Sequence, residues 1–102
     1  MALKITTQIT TEEGFEVSNA FAYLNIYIQS PGSNWINLAY YKSEQDWVSG
    51  KQPLNVNQLP SSVQTELTQQ EFWNNQLAMT LHEKCIAKIE EVVGEGNVEI
   101  IQ

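Results

Sequence analysis

Residues 20–29 constrain the fold more than any other segment, because their side chains alternate with strict period two. One set of positions is aliphatic: Ala20, Ala22, Leu24, Ile26 and Ile28. The other set is aromatic or amide: Phe21, Tyr23, Asn25, Tyr27 and Gln29. This pattern predicts a β-strand whose two faces meet different surroundings.

A second strand follows at residues 35–42, after a Ser-Pro-Gly-Ser-Asn loop signal at 30–34. Its alternation places Trp35, Ala39 and Tyr41 on one face and Ile36, Leu38 and Tyr40 on the other. The two segments predict an antiparallel hairpin. Both faces of this hairpin carry large side chains, which is more apolar surface than one core covers.

The flanking segments predict a strand at 1–10, a turn at 11–14, a helical turn at 43–50 around Trp47, and a strand at 97–101. Residues 52–59 are predicted to be extended. Residues 60–67 are ambiguous, because Pro60 fits the first turn of a short helix that carries Val63 and Leu67.

A long helix is predicted over residues 68–93. Thr68 and Glu71 have the spacing of a capping box, and Gly94 stands where a left-handed C-terminal cap is expected. At 100° per residue its apolar side chains fill an arc of about 200°, whereas a helix covering one sheet needs little more than ~100°. The surplus indicates a deep groove or a second subunit.

These elements predict an α+β fold, with a mainly antiparallel sheet of four to five strands packed on one long C-terminal helix. The length of 102 residues and the 42% hydrophobic content fit a single domain over 1–102. Within it, 1–59 is predicted as a β-rich part with the hairpin. Residues 60–102 are predicted as a helical part with a final short strand.

The charge pattern argues against polyanionic partners. The formal net charge is −7, and all five basic residues are scattered lysines, with no arginine for bidentate phosphate contacts. We therefore expect no direct nucleic-acid binding and no membrane binding. The first ten residues lack the apolar run of a signal peptide. Synthesis in the cytoplasm is the corresponding expectation.

The reactive residues do not assemble into a predicted catalytic centre. His82 and Cys85 have i, i+3 spacing, but no other histidine or cysteine completes a metal site. Cys85 lies inside an apolar helical pattern, which is typical of a small core residue. Adjacent carboxylates such as Glu90 and Glu91 do not face each other on a helix. The sequence therefore predicts a non-enzyme without catalytic, metal or cofactor sites.

The aromatic residues are the candidate functional positions. The set comprises Tyr23, Tyr27, Trp35, Tyr41, Trp47 and Trp73. Tyrosine and tryptophan are enriched in interface hot spots, which favours a protein–protein interface. The alternative is a small-ligand-binding module that uses the aromatic sheet face. A closed pocket with converging polar groups would favour the ligand, and burial against another chain would favour the interface.

Two segments carry a family resemblance. Residues 13–24, EGFEVSNAFAYL, and residues 40–54, YYKSEQDWVSGKQPL, resemble the corresponding blocks of small structural proteins of tailed bacteriophage virions, about a hundred residues long. The long helix and the strand after it depart from that family, whose members often end in a shorter helix. The resemblance implies a head, connector or tail component located in the virion and synthesised in the bacterial host cytoplasm. It implies as partners copies of itself and other virion structural proteins, and it transfers no functional residues.

Overall fold

A computed structural model describes residues 1–30, 32–73 and 75–101 of the chain. The strands are β1 (Ala2–Ile5), β2 (Ile9–Thr10), β3 (Glu16–Val17), β4 (Ala20–Ser30), β5 (Ser33–Tyr41), β6 (Ser62–Thr65) and β7 (Val98–Ile101). The helices are α1 (Glu44–Val48), α2 (Gln69–Phe72) and α3 (Leu77–Val93). The predicted α+β class is confirmed.

The main sheet has five strands in the order β6-β5-β4-β1-β7, and every neighbouring pair is antiparallel. The hairpin of β4 and β5 is its centre, with a register running from Phe21 opposite Tyr41 to Ser30 opposite Ser33. A separate two-stranded ribbon joins β2 to β3. Residues 20–29, whose strict alternation predicts a strand, therefore lie in β4.

One face of the sheet, which we call the helix face, forms the core with α3. It contributes Leu3, Ile5, Ala20, Ala22, Leu24, Ile36, Leu38, Tyr40, Val63 and Val98, and the helix contributes Leu81, Cys85 and Ile89. All of them are buried. The apolar arc of α3 is wider than the part that the sheet covers. Val92 belongs to this arc and remains 48% exposed.

The short helix considered for residues 60–67 is wrong, because this segment forms β6. Its register places Val63 opposite Ile36, where the valine is buried on the helix face. A helix of so few residues has little stability of its own. Pairing with β5 instead satisfies the backbone and buries Val63. The extended segment 52–59 is a loop whose Val56 and Leu59 join the core.

The long helix predicted over 68–93 is also wrong in its extent, because α2 ends at Phe72 and α3 begins at Leu77. Lys84 Nζ lies 3.5 Å from Glu71 Oε2. In one straight helix those residues would be separated by about 20 Å, so the chain turns back between them. Asn75 suits a break, since an asparagine amide competes with helical hydrogen bonds.

The capping box predicted at Thr68 is confirmed at the start of α2. Thr68 Oγ1 accepts a hydrogen bond from the Glu71 backbone N–H at 3.1 Å, and Glu71 Oε1 accepts from the Thr68 N–H at 3.0 Å. We expect Thr68→Ala to lower the free energy of unfolding by about 1 kcal/mol. Urea denaturation measures the loss, and Thr68→Ser, which keeps the acceptor, is the control. Equal stability of the alanine variant and the wild type would contradict a stabilising cap.

Candidate interaction surface

The opposite face of the sheet, which we call the outer face, carries most of the aromatic candidates. The β4–β5 register pairs Phe21 with Tyr41, Tyr23 with Ala39, and Tyr27 with Trp35. All of these side chains share one face because residues directly opposite in a ladder point the same way. The alternation in the sequence had placed the same residues together.

One end of the outer face is covered by α1, and we call it the capped end. Trp47 stacks on Tyr23 with ring centroids 4.6 Å apart and on Phe21 at 5.3 Å. Phe21 is only 4% exposed as a result. The helix is held in place by its N-cap, since Ser43 Oγ accepts from the Asp46 N–H at 3.2 Å. The capped end therefore acts as a second small apolar cluster within the chain.

Phe21 was not among the aromatic candidates, although it stands in the same period-two series as Tyr23 and Tyr27. Its ring lies 6.5 Å from that of Tyr41 and connects Tyr41 to Trp47. The signal that identifies it is the alternation itself. The contact with Trp47 is not visible in the sequence, because it depends on where α1 folds back onto the sheet.

The cavity at the capped end is small, about 100 Å³. Its lining residues are Met1, Ala2, Phe21, Tyr23, Glu44, Trp47 and Ile101. Small-molecule sites usually enclose about 300–1,000 Å³ with a few converging polar groups. A cavity of this size next to one carboxylate does not match that description.

The other end of the outer face, near the tip of the hairpin, is open. Tyr27 and Trp35 stack there with ring centroids 5.9 Å apart, and Tyr27 is 47% exposed. Around this pair the outer face presents exposed uncharged side chains: Asn25, Asn37, Ser62 and Gln64. We call these six residues the open patch. It combines aromatic surface with neutral hydrogen-bonding groups.

A wider depression of about 420 Å³ adjoins the open patch between the hairpin turn and β6. Trp35 and Gln64 line it together with Thr65 and Glu66. Most of the residues that line it are polar. It is larger than the cavity of about 100 Å³ that touches Tyr23 and Trp47, and its volume lies within the usual range of ligand sites.

Trp73 lies apart from the other aromatic candidates. It follows α2, is 78% exposed, and meets Phe72 edge to face at 5.2 Å. Phe72 is half-buried against the core on the helix side. The structure therefore brings Tyr23, Tyr27, Trp35, Tyr41 and Trp47 to the outer face, and it places Trp73 in the helix layer.

Cys85 and His82 serve the core. Burial raises the pKa of the Cys85 thiol to about 12, so the thiol stays protonated at neutral pH and is a poor nucleophile. His82 is buried, with its Nδ1 2.7 Å from the carbonyl oxygen of Ala78. The predicted burial of Cys85 is confirmed. His82 lies beside it on the same buried side of α3.

No family model, curated protein or solved structure matches this chain. In residues 1–30, 32–73 and 75–101, no three histidine, cysteine or acidic side chains come together as a metal site would require. None of the helices in those ranges is both long enough and apolar enough to cross a bilayer.

Proposed function

We propose that this protein is a non-enzymatic structural subunit of a tailed-phage particle that assembles through protein–protein contacts. The observation that carries the proposal is the open patch, where the exposed Tyr27 stacks on the half-buried Trp35 among uncharged side chains. The location in a head, connector or tail rests on the resemblance of residues 13–24 and 40–54 to virion proteins.

The composition of the open patch suits a protein partner. Tyrosine and tryptophan bury a large area at low conformational cost and dominate binding energy in interfaces. The surrounding amides and hydroxyl offer donors and acceptors without an ionic group to desolvate. At a net charge of −7, copies of the chain repel each other at long range. Short-range burial at a neutral surface is the attraction that overcomes this repulsion.

The small-ligand alternative has one observation in its favour, the depression of about 420 Å³ beside Trp35. A ligand there would contact the Trp35 indole and the polar side chains of Gln64 and Glu66. Such a module acts as a monomer whose tryptophan fluorescence changes on titration with the ligand. Assembly predicts concentration-dependent association instead, and this difference separates the two functions.

The test of the assembly function is sedimentation of the purified chain over a wide concentration range. We expect association in the wild type and an increase of about thirtyfold or more in the dissociation constant for Trp35→Ala, the effect of removing a hot-spot side chain. Val48→Ala is the matched control, since Val48 is 65% exposed on α1 outside the open patch. Urea denaturation establishes that both variants remain folded.

A wild-type chain that stays monomeric at high concentration would contradict assembly with copies of itself. An unchanged dissociation constant in Trp35→Ala would contradict the role of the open patch. Mass spectrometry of purified particles of the encoding phage tests the location, and absence of the chain from those particles would overturn it.

A further inference from the structure

Strand β6 is an edge of the main sheet, and its hydrogen-bonding pattern identifies which of its backbone groups are free. The Leu38 N–H donates to the Ser61 carbonyl at 2.9 Å, so those two residues form a hydrogen-bonded pair. Such pairs alternate along an antiparallel ladder. Val63 and Thr65 therefore bond to β5, and Ser62 and Gln64 direct their N–H and C=O groups away from the sheet.

We propose that β6 pairs antiparallel with β6 of a second copy of the chain about a two-fold axis at Val63. This inference rests on the proposed function and specifies one of its contacts. In the proposed register, Ser62 lies opposite the partner's Gln64, and Gln64 lies opposite the partner's Ser62. Each of these pairs exchanges two N–H···O=C bonds, which uses all the outward backbone groups of both residues.

The face on which each residue lies is consistent with this register. Ser62 and Gln64 both lie on the outer face, opposite Asn37 and Trp35 of β5. Residues directly opposite in a ladder share a face, so both outer faces lie on one side of the joined sheet and both α3 helices on the other. The two open patches then adjoin across the two-fold axis and form one continuous surface.

In this register the partner's Ser61 would lie directly opposite Thr65, on the helix face. Beside it, a groove of about 240 Å³ between β6 and α3 has room for the partner's side chains.

The charged side chains that line the groove are Lys84, Lys88 and Glu66. In the proposed register Glu66 would lie opposite the partner's Pro60, so the two Glu66 carboxylates do not face each other. Lys84 lies 3.5 Å from Glu71, and Lys88 lies 3.9 Å from Glu91. Because each ammonium has a carboxylate of its own chain beside it, bringing two copies together does not place uncompensated lysines face to face.

The other edge of the sheet, β7, is a poorer choice for self-pairing. The Thr6 N–H donates to the Asn97 carbonyl at 2.8 Å, so by the same alternation Val98 and Ile100 point their backbone groups outward. Pairing two copies of β7 about a two-fold axis at Glu99, the register equivalent to that of β6, would place Glu99 opposite the partner's Glu99. Like charges directly opposite destabilise a ladder, and the β6 register contains no such pair.

A charge-swap experiment on the full chain tests the register. Ser62→Lys with Gln64→Lys places like charges opposite each other twice, and we expect a dissociation constant about tenfold higher. Ser62→Lys with Gln64→Glu places opposite charges there, and we expect association as tight as the wild type or tighter. Both residues are exposed on the outer face, so neither pair of changes disturbs the core.

The change in net charge alone predicts the opposite order of dissociation constants, so the expected result is specific to the proposed register. The wild type has a net charge of −7. The double lysine variant gains two positive charges, −7 + 2 = −5, whereas the lysine–glutamate variant stays at −7. General repulsion alone predicts that the double lysine variant associates more tightly. Only direct opposition of positions 62 and 64 predicts the reverse.

Hydrogen exchange provides a second measurement on the wild type. The Ser62 and Gln64 amides should exchange fast when the protein is dilute and slowly when it associates, whereas the Val63 amide is protected in both conditions. Association with equal dissociation constants in both double variants and no change at Ser62 and Gln64 would overturn the β6 contact alone. A wild type that remains monomeric at every concentration would contradict the assembly function itself.

Discussion

Raising the pH from 9 toward 12 is expected to remove a large part of the folding free energy. The cause is a pair of neutral groups in the core. Burial raises the pKa of Cys85 from 9.0 to about 12. Burial, with a smaller contribution from Cys85, also raises the pKa of Tyr40 far above its ordinary 10.0. The Tyr40 hydroxyl donates a hydrogen bond to the Pro60 carbonyl oxygen.

The sign follows from proton linkage. Both groups are neutral when protonated, and their pKa values are higher in the folded chain than in the unfolded chain. Their contribution is therefore complete below the unfolded pKa and is lost as the pH rises toward the folded pKa. For each group, the free energy of unfolding falls by about 1.4 kcal/mol per pH unit between the unfolded and folded pKa values. For Cys85 this amounts to about 4 kcal/mol. Domains of this size have only about 5–15 kcal/mol in total.

Urea denaturation at pH values below 9 and between 9 and 12 measures this dependence. Cys85→Ala should flatten the fall in stability over that range, since alanine has no proton to lose. Tyr40→Phe should flatten it above pH 10, although its stability at neutral pH is lower because the Pro60 carbonyl loses its donor. The same pH dependence in the wild type and both variants would contradict burial of these groups.

The parts of the fold that the sequence predicts correctly are those determined by local periodicity. The alternation of residues 20–29 defines β4 and assigns Ala22 and Tyr23 to opposite faces. The spacing of Thr68 and Glu71 predicts the cap of α2, because a capping box depends on residues three apart. In both cases the interacting groups are near neighbours in the chain.

The parts that the sequence does not predict depend on distant contacts. Residues 60–67 have no decisive period of their own, and β6 forms because the edge of β5 is available to pair with Val63. The turn between α2 and α3 brings Glu71 to Lys84, a contact that no local pattern indicates. Likewise, the cover that Trp47 provides for Phe21 depends on the path of α1 across the sheet.

On the candidate surface, too, local periodicity predicts one property and distant contacts determine another. Period two was sufficient to place Tyr23, Tyr27, Trp35 and Tyr41 on one face. It did not separate the buried Phe21 from the exposed Tyr27, because that difference comes from the cover that α1 provides. A helix of five residues thus determines which half of an aromatic face remains available to a partner.

Ile89→Ala should be among the most destabilising single substitutions in this chain. Ile89 is fully buried, in the same cluster as Leu3, Ile5 and Cys85, at the contact between α3 and the sheet. Truncation to alanine removes buried methyl and methylene groups and leaves a cavity, because close-packed neighbours relax only in part. The expected loss in the free energy of unfolding is about 2–5 kcal/mol.

Two further substitutions on the same helix make this result specific to docking of α3. Ile89→Val removes one methylene group and should cost about 0.5–1.5 kcal/mol. Val92→Ala, at a position 48% exposed, should stay within about 0.5 kcal/mol of the wild type. Urea denaturation with a constant m-value supplies all three differences. Similar small losses at positions 89 and 92 would mean that α3 is not packed over the sheet. Since α3 forms the wall of the groove beside β6, that outcome would also remove the groove from the proposed contact between copies.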